Sequence, residues 1–360
     1  MVSERLVIKV GTNVLTQPNQ QLDYNVIHQI VEQIGRLRQE KHRVVLVTSG
    51  AAGASYGLGN FEGQKKNLVR RQMMTAVGQP RLMQIYSDFF REHNIPVAQA
   101  LLTRSDFGNR ERYLNIHNTL EGLLMMGTLP IVNENDVVVT DALTFGDNDY
   151  LSAAVASTIG ANRLFLLTTA DGFYLGGDPE LNPSANIQPE VARISQEMWD
   201  SCEATLSKGG RGGMLSKLKA VEMVASFGIE SYIVSGKQPG VVPRIMAGEA
   251  LGTRFLPTEK RLKTYRQWLR FGALTSGRIV VDAGAEKALG NNKSLLPAGI
   301  DKVEGNFNEG DIVEIRNRGQ EKLGVGLSNF SAEALTAMIE GSRPITRSEE
   351  AIHRDRMLLL

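Results

Sequence analysis

Two kinds of hydrophobic pattern alternate over the first two thirds of the chain. Short continuous apolar runs that end in small or polar residues are typical of buried parallel strands. Segments with apolar residues three or four positions apart are typical of helices that cover a sheet. The runs predict strands at 6–10, 43–47, 96–102, 129–132, 163–168 and 230–234, and the spaced segments predict helices at 25–41, 67–93, 112–126 and 151–160. This alternation predicts an α/β fold with a mostly parallel sheet sandwiched between helices.

Two segments interrupt that alternation. Pro80 falls inside the second predicted helix, where we expect it to bend or break the helix. Residues 175–190 are rich in Gly, Pro, Asn and Asp and predict a loop.

From about residue 275 the pattern changes to short strands and tight turns. Strands are predicted at 277–282, 310–315 and 323–327, with a loop at 291–293, which indicates a small, mostly β second domain. A basic segment that contains Trp268 precedes it. We therefore predict a first domain at 1–255, a connector at 256–274, a second domain at 275–353 and a tail at 354–360.

Composition narrows the class of protein. The 360 residues carry a formal charge of +1, which gives no global attraction to nucleic acid or to anionic membranes. The single cysteine, Cys202, excludes an internal disulfide framework and suits a reducing compartment. The chain shows no signal peptide and no apolar segment that approaches the length of a membrane span. We expect a soluble cytoplasmic protein.

Polar clusters follow several of the predicted strands. The apolar run at 129–132 stops in Asn133–Asp136, and a second cluster follows at Gly146–Asp149. In open α/β sheets, ligands bind at the carboxyl ends of the strands. Two such clusters favour a site for a polar, charged small molecule, although Asn, Asp and Gly are also ordinary turn residues.

Two glycine-containing loops and one lysine add to this picture. Lys9 lies near the end of the first strand, where its ammonium either reaches the ligand edge or faces solvent from an edge strand. The loop at 48–51 has small residues whose N–H groups can approach an anion. The loop at 208–217 has two glycine pairs before Ser216 and Lys217; it lacks the spacing of a Walker P-loop and is either an anion-binding loop or simply a mobile one.

Taken together, these motifs resemble those of the glutamate 5-kinases, which belong to the amino acid kinase family. The matching segments follow in order at 9–12, 49–51, 133–136, 146–149 and 212–217. The resemblance continues from about 275 to 341 as a PUA-like domain, through segments at 279–284, 294–297, 305–307 and 310–313. The resemblance implies an amino acid kinase fold and transfer of a phosphoryl group from ATP to the side-chain carboxylate of L-glutamate, the first step of proline biosynthesis.

The resemblance also implies roles for individual residues. Lys9 and Lys217 would flank the transferring phosphoryl group, Asp149 would hold both ammonium groups, and N–H groups around Gly11 and Gly50 would complete the anion cradle. Ser49, Asp136 and Asn148 would bind glutamate. The residues implied for ATP are Lys9, Thr168, Thr169, Arg211, Gly212, Gly213, Met214, Leu215, Ser216 and Lys217. Mg²⁺ would be held mainly by the ATP phosphates, without a protein ligand.

The chain departs from the family pattern at four positions. Thr169 stands where an aspartate is common, Arg211 and Ser216 stand where threonines are common, and Asn13 stands where a serine is common. The loss of a carboxylate at Thr169 bears on contacts with the nucleotide base or ribose.

Regulation, partners and rival functions are the remaining expectations. The resemblance implies feedback inhibition by proline, and we expect the loops that carry Asn133 and Asp147 to set it. It also implies a homo-oligomer, dimer or tetramer, for which the apolar stripe between Met73 and Phe89 is a candidate surface. PUA domains often bind RNA, but residues 275–353 hold nine Lys or Arg against twelve Asp or Glu, a net charge of −3, so we do not expect RNA binding. Aspartokinase, acetylglutamate kinase and uridylate kinase are the rival enzymes, and the appended domain argues against them.

Overall fold

The structure is a computed structural model, and it describes residues 3–56, 58, 68–138, 147–177, 182, 185–207, 213–258, 275–344 and 349–359. Side chains are described for these residues except 147 and 203–207. The chain forms two compact units, one made of 1–103 with 116–261 and the other of 104–115 with 262–360. The predicted connector lies mostly outside the described residues, so its boundaries stay a prediction.

The first unit is built on an eight-stranded sheet. Its strands are β1 Arg5–Val10, β2 Arg43–Val47, β3 Val97–Leu102, β4 Leu129–Glu134, β5 Arg163–Thr168, β8 Glu190–Val191, β9 Glu230–Ser235 and β10 Thr253–Phe255, and β6 Tyr174–Leu175 pairs separately with β7 Asn186–Ile187. The order in the sheet is β3-β4-β2-β1-β5-β9-β10-β8. All neighbouring pairs from β3 to β9 are parallel, and β10 runs antiparallel to β9. The predicted mostly parallel sheet is confirmed.

Nine helices and one 3₁₀ helix are described between residues 1 and 261; the 3₁₀ helix and the beginning of α5 belong to the second unit. The helices are α1 Thr12–Leu15, α2 Tyr24–Gln39, α3 Ala51–Ala54, α4 Leu68–Glu92, α5 Arg110–Met125, α6 Asp147–Thr158, α7 Gln196–Ser207, α8 Gly213–Ser226 and α9 Val241–Met246, and the 3₁₀ helix is Arg104–Phe107. Helix α2 begins where the side chain of Asp23 accepts hydrogen bonds from two N–H groups of the first turn, as an N-cap residue should.

Alternation along β1 determines which side chains reach which layer. Leu6, Ile8 and Val10 belong to the core that α2, α4 and α9 form on one face of the sheet. Successive side chains of a strand point to opposite faces. Lys9 therefore leaves the sheet on the other face, on which α6 packs against β1 and against α8.

Several local predictions were wrong. Pro80 does not break its helix, because α4 continues through it from Leu68 to Glu92; a bend at Pro80 stays a prediction. The apolar stripe of that helix is divided: Leu82 and Ile85 are buried, whereas Met73 and Val77 are 44% and 41% exposed. Tertiary packing along α4 outweighs the hydrogen bond that proline cannot donate. Self-association through the exposed residues stays a prediction.

The loop predicted at 175–190 contains strand β7 and the beginning of β8, and helix α7 was not predicted. The helix predicted at 151–160 begins earlier, at Asp147, so Asp149 lies in its first turn.

The second unit contains a five-stranded sheet of order β12-β11-β13-β14-β15. Its strands are β11 Gly277–Val281, β12 Ile300–Gly305, β13 Ile312–Arg316, β14 Lys322–Leu327 and β15 Met357–Leu359; its helices are α10 Ala283–Gly290 and α11 Ala332–Ile339, with 3₁₀ helices at Pro297–Gly299 and Arg354–Arg356. The sheet agrees with the predicted mostly β domain. The segment predicted as a tail contains β15, which pairs with β14 and so belongs to the sheet.

Among the helices of the described segments, none has both the length and the apolar character that crossing a membrane requires.

Candidate active site

Six parallel strands of the first unit end at one edge of the sheet. The segments that follow β1, β2, β4 and β5 begin at Gly11, Thr48, Asn135 and Thr169. Helices α6 and α8 pack against each other beside these strands. Asp149 lies near the beginning of α6, and Lys217 lies near the beginning of α8. The predicted site residues from distant parts of the chain therefore gather at the carboxyl edge, where α/β proteins bind ligands.

A buried carboxylate joins two buried lysines at this edge. Lys9 Nζ lies 2.6 Å from Asp149 Oδ1, and Lys217 Nζ lies 3.2 Å from Asp149 Oδ2. The exposed fractions are 5% for Lys9, 1% for Asp149 and 8% for Lys217. Ser216 Oγ donates to Asp149 Oδ2 at 2.6 Å, and Lys217 also donates to the carbonyl of Gly213 at 3.0 Å. Two cations and one anion leave this cluster with one net positive charge.

The pKa values of the cluster follow from its burial and its charges. Burial raises the pKa of Asp149, but Lys9 and Lys217 outweigh it, so that the pKa lies below its ordinary value. Burial lowers the pKa of Lys217, and Asp149 opposes that effect. Asp149 therefore stays ionised and favours the charged form of the Lys217 amine.

Ser49, Asn148 and Asn133 form a hydrogen-bonded group next to the lysine cluster. Asn148 Nδ2 donates to Ser49 Oγ at 2.9 Å, to the carbonyl of Thr48 at 3.1 Å and to Asn133 Oδ1 at 3.1 Å. Asn148 directly precedes Asp149 in the first turn of α6. The proposed substrate residues Ser49 and Asn148 are therefore in direct contact, and both adjoin Asn133, to which we assigned a regulatory role.

Asp136 has a partner that the sequence did not predict. Arg71 on α4 donates from Nη2 to Asp136 Oδ1 at 2.9 Å. Burial raises the pKa of Asp136, and the charge and hydrogen bond of Arg71 oppose this effect. Asp136 is thus an anion at the rim of the site that already binds one cation.

The two expected backbone cradles differ. Gly50 directly precedes α3 and has a φ of +97°. A residue with a side chain would disfavour this backbone conformation. The N–H of Gly11, by contrast, donates to the carbonyl of Leu167 at 3.2 Å. The N–H of Gly11 itself is therefore engaged with β5, and a cradle formed by the N–H groups around it stays a prediction.

The residues implied for ATP are only partly described. Thr168 ends β5 and Thr169 follows it on the exposed side of the edge, while Gly213, Met214 and Leu215 begin α8. Arg211 and Gly212 lie outside the described residues, as do Gly146 and the side chain of Asp147.

Besides Arg71, helix α4 contributes two further residues that the sequence did not predict. Gln79 accepts a hydrogen bond from Asn133 Nδ2 at 2.9 Å. At Gly78, an added Cβ would lie 1.8 Å from the carbonyl oxygen of Ala51, at the start of α3. A glycine inside an apolar helical pattern is a signal of close backbone approach, and it could have indicated this contact.

The Amino acid kinase family model matches residues 4–235, and the PUA domain model matches 277–346. A glutamate 5-kinase of Thermoanaerobacter sp. (strain X514) is 39% identical, covering 99% of this chain and 98% of its own. One of Cyanothece sp. (strain PCC 7425 / ATCC 29141) is 39% identical, covering 99% and 100%. One of Microcystis aeruginosa (strain NIES-843 / IAM M-2473) is 40% identical, covering 100% and 97%.

Solved structures are more distant. An isopentenyl phosphate kinase has a TM-score of 0.49 at 20% identity and covers 70% of this chain and 99% of its own. A UMP kinase from Bacillus anthracis has a TM-score of 0.47 at 15% identity and covers 72% and 98%.

Proposed function

Because the chain belongs to the glutamate 5-kinases of the amino acid kinase family, we propose that it transfers the γ-phosphoryl group of ATP to the side-chain carboxylate of L-glutamate, in the first step of proline biosynthesis. The observation that carries the proposal is the buried cluster of Lys9, Asp149 and Lys217 at the carboxyl edge of the sheet. Such a cluster suits phosphoryl transfer between two anions, in which catalysis consists largely of positioning and charge stabilisation.

The reaction needs no protein nucleophile. The side-chain carboxyl of glutamate has a reference pKa of about 4.3 and is ionised near neutral pH. Its oxygen attacks the γ-phosphorus, the bond between that phosphorus and the β,γ-bridging oxygen breaks, and the electron pair leaves with ADP. Lys9 and Lys217 stabilise the charge that spreads over the transferring oxygens, and Asp149 holds the two ammonium groups close together despite their mutual repulsion.

Two of the residues that we propose for glutamate binding, Ser49 and Asn148, adjoin this cluster, because Asn148 precedes Asp149 and donates to Ser49. Ser49 and Asn148 can donate to carboxylate oxygens. Asp136 is the natural partner of the substrate α-ammonium, because a charge-assisted hydrogen bond of this kind is among the strongest available. Its ion pair with Arg71 supports the proposal, since the position already accommodates a cation.

Nucleotide, metal and inhibitor complete the proposal. ATP binds along Thr168, Thr169 and residues 211–217, and its phosphates hold Mg²⁺. Proline competes for the glutamate side of the site; the two residues to which we assign this regulation lie near the end of β4 (Asn133) and at the first position of α6 (Asp147), not on loops. The oligomeric state, dimer or tetramer, stays a prediction.

An acyl phosphate assay tests the function. Hydroxylamine traps γ-glutamyl phosphate as a hydroxamate, and we expect hydroxamate with ATP, Mg²⁺ and L-glutamate, suppressed when proline is added. L-aspartate and N-acetylglutamate should give none, and UMP should not stimulate release of ADP. Turnover with one of these acceptors in place of L-glutamate would reject the proposed substrate.

The pH dependence of the glutamate KM should report on Asp136. As the pH falls through the raised pKa of this carboxyl group, it is protonated and loses the charge that binds the α-ammonium, so KM for glutamate should rise. The change Arg71→Gln removes the cation that lowers the pKa of Asp136, so this pKa should rise further. We therefore expect the acid limb of a plot of kcat/KM for glutamate against pH to move to higher pH, measured by steady-state kinetics.

Asp136→Asn serves as the control for that measurement. This variant has no carboxyl group to titrate at position 136. Its KM for glutamate should be high at every pH, and its plot of kcat/KM against pH should lack the acid limb. An acid limb that Arg71→Gln leaves in place would show that another group controls glutamate binding.

A further inference from the structure

A chain of side-chain amides runs from the proposed glutamate-binding residues into helix α4. Asn148 donates to Asn133, Asn133 Nδ2 donates to Gln79 Oε1 at 2.9 Å, and Gln79 Nε2 donates to Gln99 Oε1 at 2.9 Å. Asn133 and Gln79 are buried, with exposed fractions of 3% and 8%. We propose that Gln79 is a positioning residue for substrate binding, acting through Asn133 on Asn148 and Ser49. The proposal rests on the proposed function, in which Ser49 and Asn148 bind the acceptor.

Backbone groups determine the direction of the hydrogen bonds in this chain. The N–H of Glu134 donates to Asn133 Oδ1 at 2.9 Å and to Asn148 Oδ1 at 3.2 Å. The carbonyl of Thr48 accepts from Asn148 Nδ2. An N–H can only donate and a carbonyl can only accept, so neither asparagine can exchange its amide oxygen and nitrogen without facing a group of the same kind.

With Asn133 oriented in this way, its amide nitrogen needs a buried acceptor. Gln79 Oε1 is that acceptor. A buried donor without a partner costs more than a hydrogen bond normally contributes, so a residue without an oxygen at position 79 would favour rotation of Asn133 away from the interior. Gln79 therefore determines whether Asn133 Oδ1 stays in place to accept from Asn148.

The consequence reaches the hydroxyl group of Ser49. Its oxygen accepts from Asn148 Nδ2, so its hydrogen is directed elsewhere. Asn148 Nδ2 has two hydrogens but three acceptors nearby, and the position of each acceptor affects how they are shared. With Asn133 held by Gln79, Ser49 is prepared to donate its hydrogen to a carboxylate of the substrate.

The substitution Gln79→Met tests this role, because methionine has a similar length and offers no comparable acceptor. We expect KM for glutamate to rise about tenfold. KM for ATP and kcat should change less than about threefold. Gln79→Glu retains the oxygen acceptor for Asn133 Nδ2 but loses the donor to Gln99 Oε1, so its KM for glutamate should lie below that of Gln79→Met.

Two further variants make the test specific. Gln84→Met introduces the same residue on the exposed side of α4 and should leave both KM values unchanged. Asn133→Ala should raise KM for glutamate by itself, and adding Gln79→Met to it should cause no further rise, because residues that act through one another are not additive.

The outcomes separate a positioning role from a structural one. An unchanged KM for glutamate in Gln79→Met would overturn the proposal, and so would additive effects in the double variant. An equal rise in the KM for glutamate and the KM for ATP, together with a lower melting temperature, would also overturn it. Failure of the proposed function is visible separately, as wild-type protein that gives no hydroxamate with L-glutamate. If the wild type uses another carboxylic acid instead, the same comparison applies to the KM of that acceptor.

Discussion

Replacing Lys217 with methionine should lower kcat by about 10³-fold, because it removes one of the two ammonium groups that stabilise the transferring phosphoryl group. KM for glutamate should change little, since the proposed substrate contacts come from Ser49, Asn148 and Asp136. The measurement is steady-state hydroxamate formation over a range of both substrates. A fall in kcat of less than tenfold would contradict the role that we assign to Lys217.

Lys219→Met is the matched control for that experiment. Lys219 lies on the same helix, two residues further on, and its side chain is exposed. The substitution changes the net charge by the same amount as Lys217→Met. If the position of Lys217, rather than the total charge, causes the fall in kcat, then kcat of Lys219→Met should stay within about twofold of wild type. The Lys217→Met protein should remain folded, because Asp149 keeps its ion pair with Lys9 and its hydrogen bond from Ser216.

Replacing Gly78 with alanine should lower the free energy of unfolding by about 3 kcal/mol. The added Cβ would lie 1.8 Å from the carbonyl oxygen of Ala51 and 2.8 Å from the amide nitrogen of Ser55, and both are backbone atoms that cannot rotate away. Helices α3 and α4 would have to separate. The measurement is urea unfolding followed by circular dichroism.

Gly122→Ala is the control for the glycine experiment. Gly122 lies in helix α5, and an added Cβ there would have no described heavy atom within 4 Å. Alanine favours helix over glycine by about 0.5–1 kcal/mol, so this variant should be slightly more stable than wild type. Equal effects of the two substitutions would show that helix propensity, rather than the contact with α3, determines the result.

The Gly78 substitution should also affect activity. Ala51 follows Ser49 and Gly50 directly, so displacement of α3 moves the loop that carries a proposed substrate residue. Small errors in the position of such groups are costly to catalysis. The fraction that remains folded should therefore have a higher KM for glutamate than wild type.

Periodicity alone predicted the parallel sheet, because strands buried on both faces leave continuous apolar runs such as those at 43–47 and 163–168. It also indicated that polar residues would collect at the carboxyl edge. The meeting of Lys9, Asp149 and Lys217 came from the family resemblance, since no local pattern relates residues so far apart in sequence.

Other features depend on tertiary placement that local patterns do not contain. Arg71 and Gln79 are unremarkable polar residues of a helix until the sheet brings Asp136 and Asn133 to them. A break at Pro80 was one of the two outcomes expected, because local propensity disfavours proline inside a helix, while packing keeps α4 continuous. The missed helices α10 and α11 did have signals: Asp282 and Ser331 are N-cap residues whose side chains accept from the first turn.

The ion pairs of Asp149 have a consequence for the survival of the enzyme during turnover. In the proposed reaction the product is an acyl phosphate, which acylates neutral amines. Lys9 and Lys217 would flank it closely, and burial favours the neutral form of Lys217. An ammonium group has no lone pair with which to attack, so Asp149, by favouring the charged form of Lys217, would protect this lysine from permanent modification by the product that it helps to make.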